Sequence, residues 1–200
     1  MKALKIACIP LSALVLFFLA GCTSSNIRDA APGQERAAAV EEERNDVRTA
    51  ARNTLQELYA KQPQAKQAVE KAAGHAVFRN FGMKILVAGG GTGRGLAVNR
   101  AGQEIFMRMA EVQAGLGFGV KKFRLVWVFE TQGAYDEFVN KGYEFGGQAT
   151  LAAQAGGQGG GYAGAMSVSP GVWVYQITDD GLAAELTVKG TKYYRDKDLN

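Results

Sequence analysis

The sequence predicts an α+β fold, with N-terminal helices packed on a strongly bent, mostly antiparallel sheet or partly closed barrel, as a single domain. Three observations carry this expectation. From Gln34 to Ala73 the chain is rich in Ala, Glu, Arg and Gln, and Val47, Ala51, Leu55 and Leu58 recur at helical spacing on one face. Beyond Gly74, short runs of β-branched and aromatic residues alternate with glycines, the composition of strands with bends and bulges. Polar turns such as "NRAGQE" and "TDDGLA" join several of these runs, which favours hairpins over long crossovers.

In chain order, "MKALKIACIPLSALVLFFLAGC" carries two lysines, an apolar run of roughly fifteen residues and then small residues, the layout of a secretory signal peptide. A membrane span needs about twenty apolar residues, and this run is shorter. Leu19, Ala20, Gly21 and Cys22 resemble the lipobox of bacterial lipoproteins, where the peptidase cuts before a cysteine that already carries diacylglycerol. The resemblance implies residues 1–21 as lipoprotein signal peptide and Cys22 as the lipidated first residue of the mature chain. An ordinary signal peptide with a chance cysteine, or an uncut anchor, is the alternative. The polar "TSSNIRDAAPGQ" then reads as a flexible tether, residues 22–33. Thr23 stands where lipoproteins kept in the inner membrane carry aspartate. In a Gram-negative cell that implies the outer membrane, with the domain facing the periplasm.

Residues 34–73 form the helical segment, interrupted at Pro63, which suits the first turn of a second helix that stops at Gly74. Its charges alternate in sign, as expected of a solvated face with an apolar stripe packed on the rest of the protein. Residues 74–200 form the β-rich part. "HAVFRNF", "MKILVAGG", "RGLAVNR", "EIFMRMAEVQAGLGFGV", "FRLVWVFET", "GVWVYQIT" and "LAAELTVKGTKYYR" read as strands, and "RLVWVF", apolar at nearly every position, as one buried on both faces. Within "TQGAYDEFVNKG" one helix is expected, with Tyr135, Phe138 and Val139 on a shared face and Gly142 closing it. The glycine-rich stretch 152–165 reads as a loop or strand edge without a fixed core position.

"GGGTGRG", residues 89–95, tests the chain for phosphate chemistry. Gly90 and Gly95 have the spacing of a Walker loop, but Leu96 and Ala97 replace its lysine and hydroxyl residue; a dinucleotide fingerprint started at Gly89 or Gly91 meets Arg94 or Leu96. One full match, Gly159, Gly161 and Gly164, lies in a glycine-saturated stretch with no helix start behind it. The loop is therefore expected to be a bend between strands, its glycines supplying positive φ or close strand approach. His75 is the single histidine, and the two cysteines are Cys8, which leaves with the leader, and Cys22. No metal site, cofactor or catalytic residue is expected, and no disulfide in the mature domain. A formal charge of +4, reduced when Lys2 and Lys5 leave, is too small for a nucleic-acid binder.

"AGHAVFRNFGMKILVAGGGTGRGLAV", "VQAGLGFGVKKFRLVWVFET", "FVNKGYEFGGQATL" and "GVWVYQITDDGLAAELTVKGTKYY" together resemble the SYLF domain family over about residues 65–196. The resemblance implies a non-enzymatic phospholipid-binding domain; fungal members are linked to actin, which has no place in a bacterial envelope, so what carries over is affinity for an anionic membrane surface. Arg79 stands where the family favours proline, which bears on the rigidity of a first turn expected there. Charge nominates the head-group candidates: Lys84, Arg94, Lys121, Lys122 and Arg124, the last three in "GVKKFR" around Phe123. An envelope protein held at the membrane through a sheet edge or the helices is the alternative partner.

Overall fold

The computed structural model describes residues 32–85, 88–114, 119–152, 162–179, 181–183 and 185–200. The leader, Cys22, Gly159 and Gly161 lie outside them. Two helices, α1 (Pro32–Lys61) and α2 (Gln64–Lys71), precede β1 (Gly74–Ile85), β2 (Ala88–Asn99), β3 (Glu104–Ala114) and β4 (Gly119–Phe129). Helix α3 (Gln132–Lys141) follows, then β5 (Tyr143–Ala152), β6 (Met166–Ser169), β7 (Val172–Thr178), β8 (Gly181–Leu182) and β9 (Glu185–Arg195). The break between α1 and α2 falls at Pro63, as the pattern predicts.

All pairings are antiparallel, in the order β5-β9-β3-β2-β1-β4-β7-β6, with β8 on β7. The sheet curls into a partly closed barrel: its two edge strands approach each other, and a side-chain hydrogen bond joins Tyr143 on β5 to Ser169 on β6. Two cores follow from strand alternation. Phe78, Met107, Leu125, Trp127, Phe129 and Tyr193 meet Tyr135, Phe138 and Val139 of α3 on one face. On the other face Val77, Leu96, Phe106, Val126 and Val128 meet Val47, Ala51, Leu58, Ala65 and Val69 of the N-terminal helices. Leu125 to Phe129 therefore alternate between two cores, each at most 1% exposed, as the unbroken apolar run predicts.

Helix α3 is built as expected. Thr131 caps it by accepting a hydrogen bond from the Ala134 amide (3.3 Å), and Gly142 ends it at φ 77°. Both predicted turns occur, the first with Gly102 at φ 78° between β2 and β3, the second where Thr178 pairs with Gly181.

Four expectations need correction. "GGGTGRG" is no bend: it lies within β2, paired on one side with β1 and on the other with β3. The reversal comes earlier, since Ile85 already pairs with Ala88. Positive φ is recorded for none of the described glycines in this stretch; at two of them close approach is what excludes a side chain. A Cβ on Gly93 would lie 2.5 Å from the Arg79 carbonyl oxygen, and one on Gly95 would lie 2.4 Å from the Phe78 ring. Second, "EIFMRMAEVQAGLGFGV" is not one strand, because β3 stops at Ala114 and β4 starts at Gly119. Consecutive in sequence, β3 and β4 are not neighbours but flank the β1–β2 pair. Third, the end of the 152–165 stretch does occupy the core: Ala165 is fully buried, and Tyr162 stacks on Trp173 at 4.6 Å. Residues 153–161 lie outside the described structure. Fourth, Arg79 lies in mid-strand, so the rigidity of a turn is not at stake there. Strand β5, in "GYEFGGQATLA", has too many glycines to be visible in the pattern.

Candidate functional site

In each of four strands an arginine stands two residues from a buried apolar residue, and two residues is one step along the same face of a strand. The pairs are Val77 and Arg79, Leu96 and Arg94, Phe106 and Arg108, Val126 and Arg124. Register then lines them up: Arg79 pairs with Arg94 on one side and Arg124 on the other, and Arg94 pairs with Arg108. The apolar row (Val77, Leu96, Phe106, Val126) lies under the N-terminal helices. One step further out runs the row of four arginines, spanning about 14 Å at the usual strand spacing. Lys122, paired with Phe81, stands one step beyond it on β4.

The row floors a cleft of about 940 Å³ between the sheet and α1. Helix α1 lines it with the short residues Thr49, Ala50 and Asn53 and with one carboxylate, Asp46. Carboxylates meet three of the arginines. Arg94 pairs with Glu43 of α1. Arg124 donates to Glu57 of α1 (3.2 Å) and approaches Asp179 at 3.6 Å. Arg108 donates to Asp196 (2.7 Å), whose carboxylate is fully buried, and to Asp198 (3.0 Å); the Asp196 hydrogen bond holds the Arg108 guanidinium above its usual pKa. Arg79 and Lys122 are exposed and have no carboxylate partner among the described residues. Like charges directly opposite on neighbouring strands destabilise a sheet, and Arg79 has an arginine opposite it on both sides. An anion seated beside Arg79 would relieve that repulsion.

Three of the sequence-nominated residues, Arg94, Lys122 and Arg124, line this one cleft. Lys84 pairs with Gly89 and Gly119, and Lys121 with Gly82, so neither takes a position in the arginine row; their side chains lie outside the described part of the structure. Cys22 lies outside it altogether. Arg79 and Arg108 escaped the sequence reading because "AVFRNF" and "IFMRMA" each hold one arginine among apolar residues. The shared spacing from a core residue was the available signal, and it acquires meaning through the register.

Other chemistry finds little support. Burial lowers the His75 pKa to about 4, so the imidazole is neutral at neutral pH and contributes no charge. No cluster of three His, Cys, Asp or Glu residues suited to a metal exists among the described residues. No helix among them is long and apolar enough to cross a membrane.

Residues 110–200 match the Ysc84 family, described as Las17-binding protein actin regulator. Beta cell expansion factor A of Aeromonas veronii is 32% identical over 163 residues, which cover 79% of this chain and 59% of the relative. The chain thus matches less than two thirds of that relative's length. Residues 110–200 thus carry the domain of the SYLF (Ysc84) family, the family that the sequence motifs resemble.

Proposed function

We propose that this is a lipid-anchored protein of the cell envelope, held at the outer membrane by acylated Cys22 and facing the periplasm, whose domain binds the head groups of anionic phospholipids in the arginine-floored cleft. The observation that carries this reading is Arg79, a cation placed between two others, which like Lys122 beside it has no carboxylate partner among the described residues. Phosphate oxygens suit such a row because guanidinium forks donate paired hydrogen bonds to them. Each basic residue beside an anionic leaflet contributes about 1 kcal/mol. Losing both unpartnered cations therefore weakens binding by about 2 kcal/mol, roughly thirtyfold.

Co-sedimentation with vesicles tests this, using the chain from Thr23 onward, which retains every described element. Vesicles containing phosphatidylglycerol are expected to retain the protein and pure phosphatidylcholine vesicles to leave it in solution. The Arg79→Ala/Lys122→Ala variant should lose most of that retention while melting no lower than the wild type, since it also loses the like-charge contacts around Arg79. Equal recovery from both vesicle types sinks the proposal.

Anchoring has its own test. In cells, Cys22→Ala is expected to abolish incorporation of labelled fatty acid and to leave the leader uncut. Undiminished labelling would remove Cys22 from the account and leave the cleft to stand alone.

A further inference from the structure

Resting on that reading of the cleft, we infer that α1 is a displaceable acidic strap: Glu43 and Glu57 occupy Arg94 and Arg124 in the free protein, and anionic head groups exchange with them on binding. Two kinds of charge pair meet the arginine row. The partner of Arg108, Asp196, is fully buried and also accepts a hydrogen bond from the Asp198 amide (3.0 Å), so it is fixed in place. The α1 carboxylates differ, with side chains 32% and 33% exposed. Ion pairs so open to water contribute only about 0–1 kcal/mol each, and a phosphate oxygen offers the same arginines an equivalent partner.

Helix α1 does not depend on these pairs for its place. Its apolar stripe, Val47, Ala51 and Leu58, is buried against the sheet. At its N-terminal half, Arg44 donates to the Leu199 carbonyl (2.8 Å) and Arg48 to Glu104 (2.8 Å), neither of which involves the arginine row. The two carboxylates can therefore swing away from the row while the helix stays docked. Between Glu43 and Glu57 the α1 lining of the cleft consists of Thr49, Ala50, Asn53 and other short side chains with one carboxylate, Asp46, and the first phosphate would enter there toward Arg79.

This arrangement sets a threshold. A lone phosphate that takes Arg79 and Lys122 must still compete with two tethered carboxylates for the flanking arginines. A membrane presents many phosphates at once, and that local density lets it replace both. The strap thus screens the row from free anions and yields to an anionic surface.

Calorimetric titration of the full chain, in neutral maltoside micelles, tests the exchange. The probes are micelles doped with phosphatidylglycerol and, separately, inorganic phosphate. Glu43→Gln/Glu57→Gln is expected to bind the doped micelles about three- to tenfold more tightly than the wild type and to acquire measurable affinity for inorganic phosphate. Thermal melting should show the variant folded, since its apolar anchors are intact. Unchanged or weaker binding by this variant, with binding still weakened about thirtyfold in Arg79→Ala/Lys122→Ala, overturns the strap and leaves the cleft as the lipid site. Binding that neither double variant alters overturns the site itself.

Discussion

Substituting Gly95 by valine is expected to destabilise the protein by about 3 kcal/mol or more, the upper part of the range for overpacking a close-fitted site. Its Cβ would stand 2.4 Å from the Phe78 ring and 2.6 Å from the Val77 carbonyl oxygen. The ring has no room to turn aside, because Phe78 is fully buried and in edge contact with Phe138 and Tyr193. The carbonyl belongs to the adjacent strand and cannot move without disturbing the pairing of β1 with β2. For a chain of this size each kcal/mol shifts the melting temperature by about 2–4 °C, so a calorimetric scan should show a fall of at least about 6 °C. Gly133→Ala supplies the contrast: a Cβ there meets nothing within 4 Å on α3, and a stabilisation of about 0.5–1 kcal/mol is expected. A Gly95→Val melting temperature equal to the wild type would show that the close approach between strands is not what this glycine serves.

Trp127→Ala is expected to cost about 3–5 kcal/mol, the range for removing a buried aromatic side chain. Trp127 is fully buried and joins β4 to α3 and to the β5–β9 end of the sheet. Its ring lies 5.2 Å from Phe138 of α3, 5.7 Å from Tyr143 of β5 and 5.0 Å from Tyr193 of β9. Set against a total stability of about 5–15 kcal/mol, this loss is large, and the melting temperature should fall by roughly 6–20 °C. The indole belongs to the core opposite the face that carries the arginine row. Below its lowered melting point, the variant should therefore retain wild-type binding to anionic vesicles. A variant that melts normally would mean that the aromatic cluster repacks around the loss.

These expectations separate what the two faces of the sheet do. One face, with α3 and its aromatic cluster, holds the curl together. The other seats α1 on an apolar row and leaves a charged row at the helix's edge. Gly95 and Trp127 test the first face; Arg79, Lys122, Glu43 and Glu57 test the second.

Much of the fold was legible in the residues because local rules decide it. Helical spacing from Val47 to Leu58, the break at Pro63, the cap and stop of α3 and the two-faced burial of β4 all depend on neighbours a few positions apart. The glycine stretch was misread for the same reason. Locally, "GGGTGRG" has every mark of a turn, and what makes it a strand is the partner on each side, β1 and β3, with β1 so close that Gly93 and Gly95 have no room for a Cβ. Strand β5 has no such alternation to read, and its place beside β9 is set by pairing alone.

The candidate site divides along the same line. Sequence by itself determined which residues carry charge, and the cluster "GVKKFR" pointed to Lys122 and Arg124. It also determined the family, through motifs spread along the chain. Tertiary structure decided that Arg79, Arg94, Arg108 and Arg124, drawn from four strands and up to 45 positions apart, stand side by side, and that Glu43 and Glu57 reach two of them from α1. The physical reason is that a cross-strand row is created by hydrogen-bond register, which no one strand encodes: shifting a single strand by one residue would turn its arginine to the opposite face.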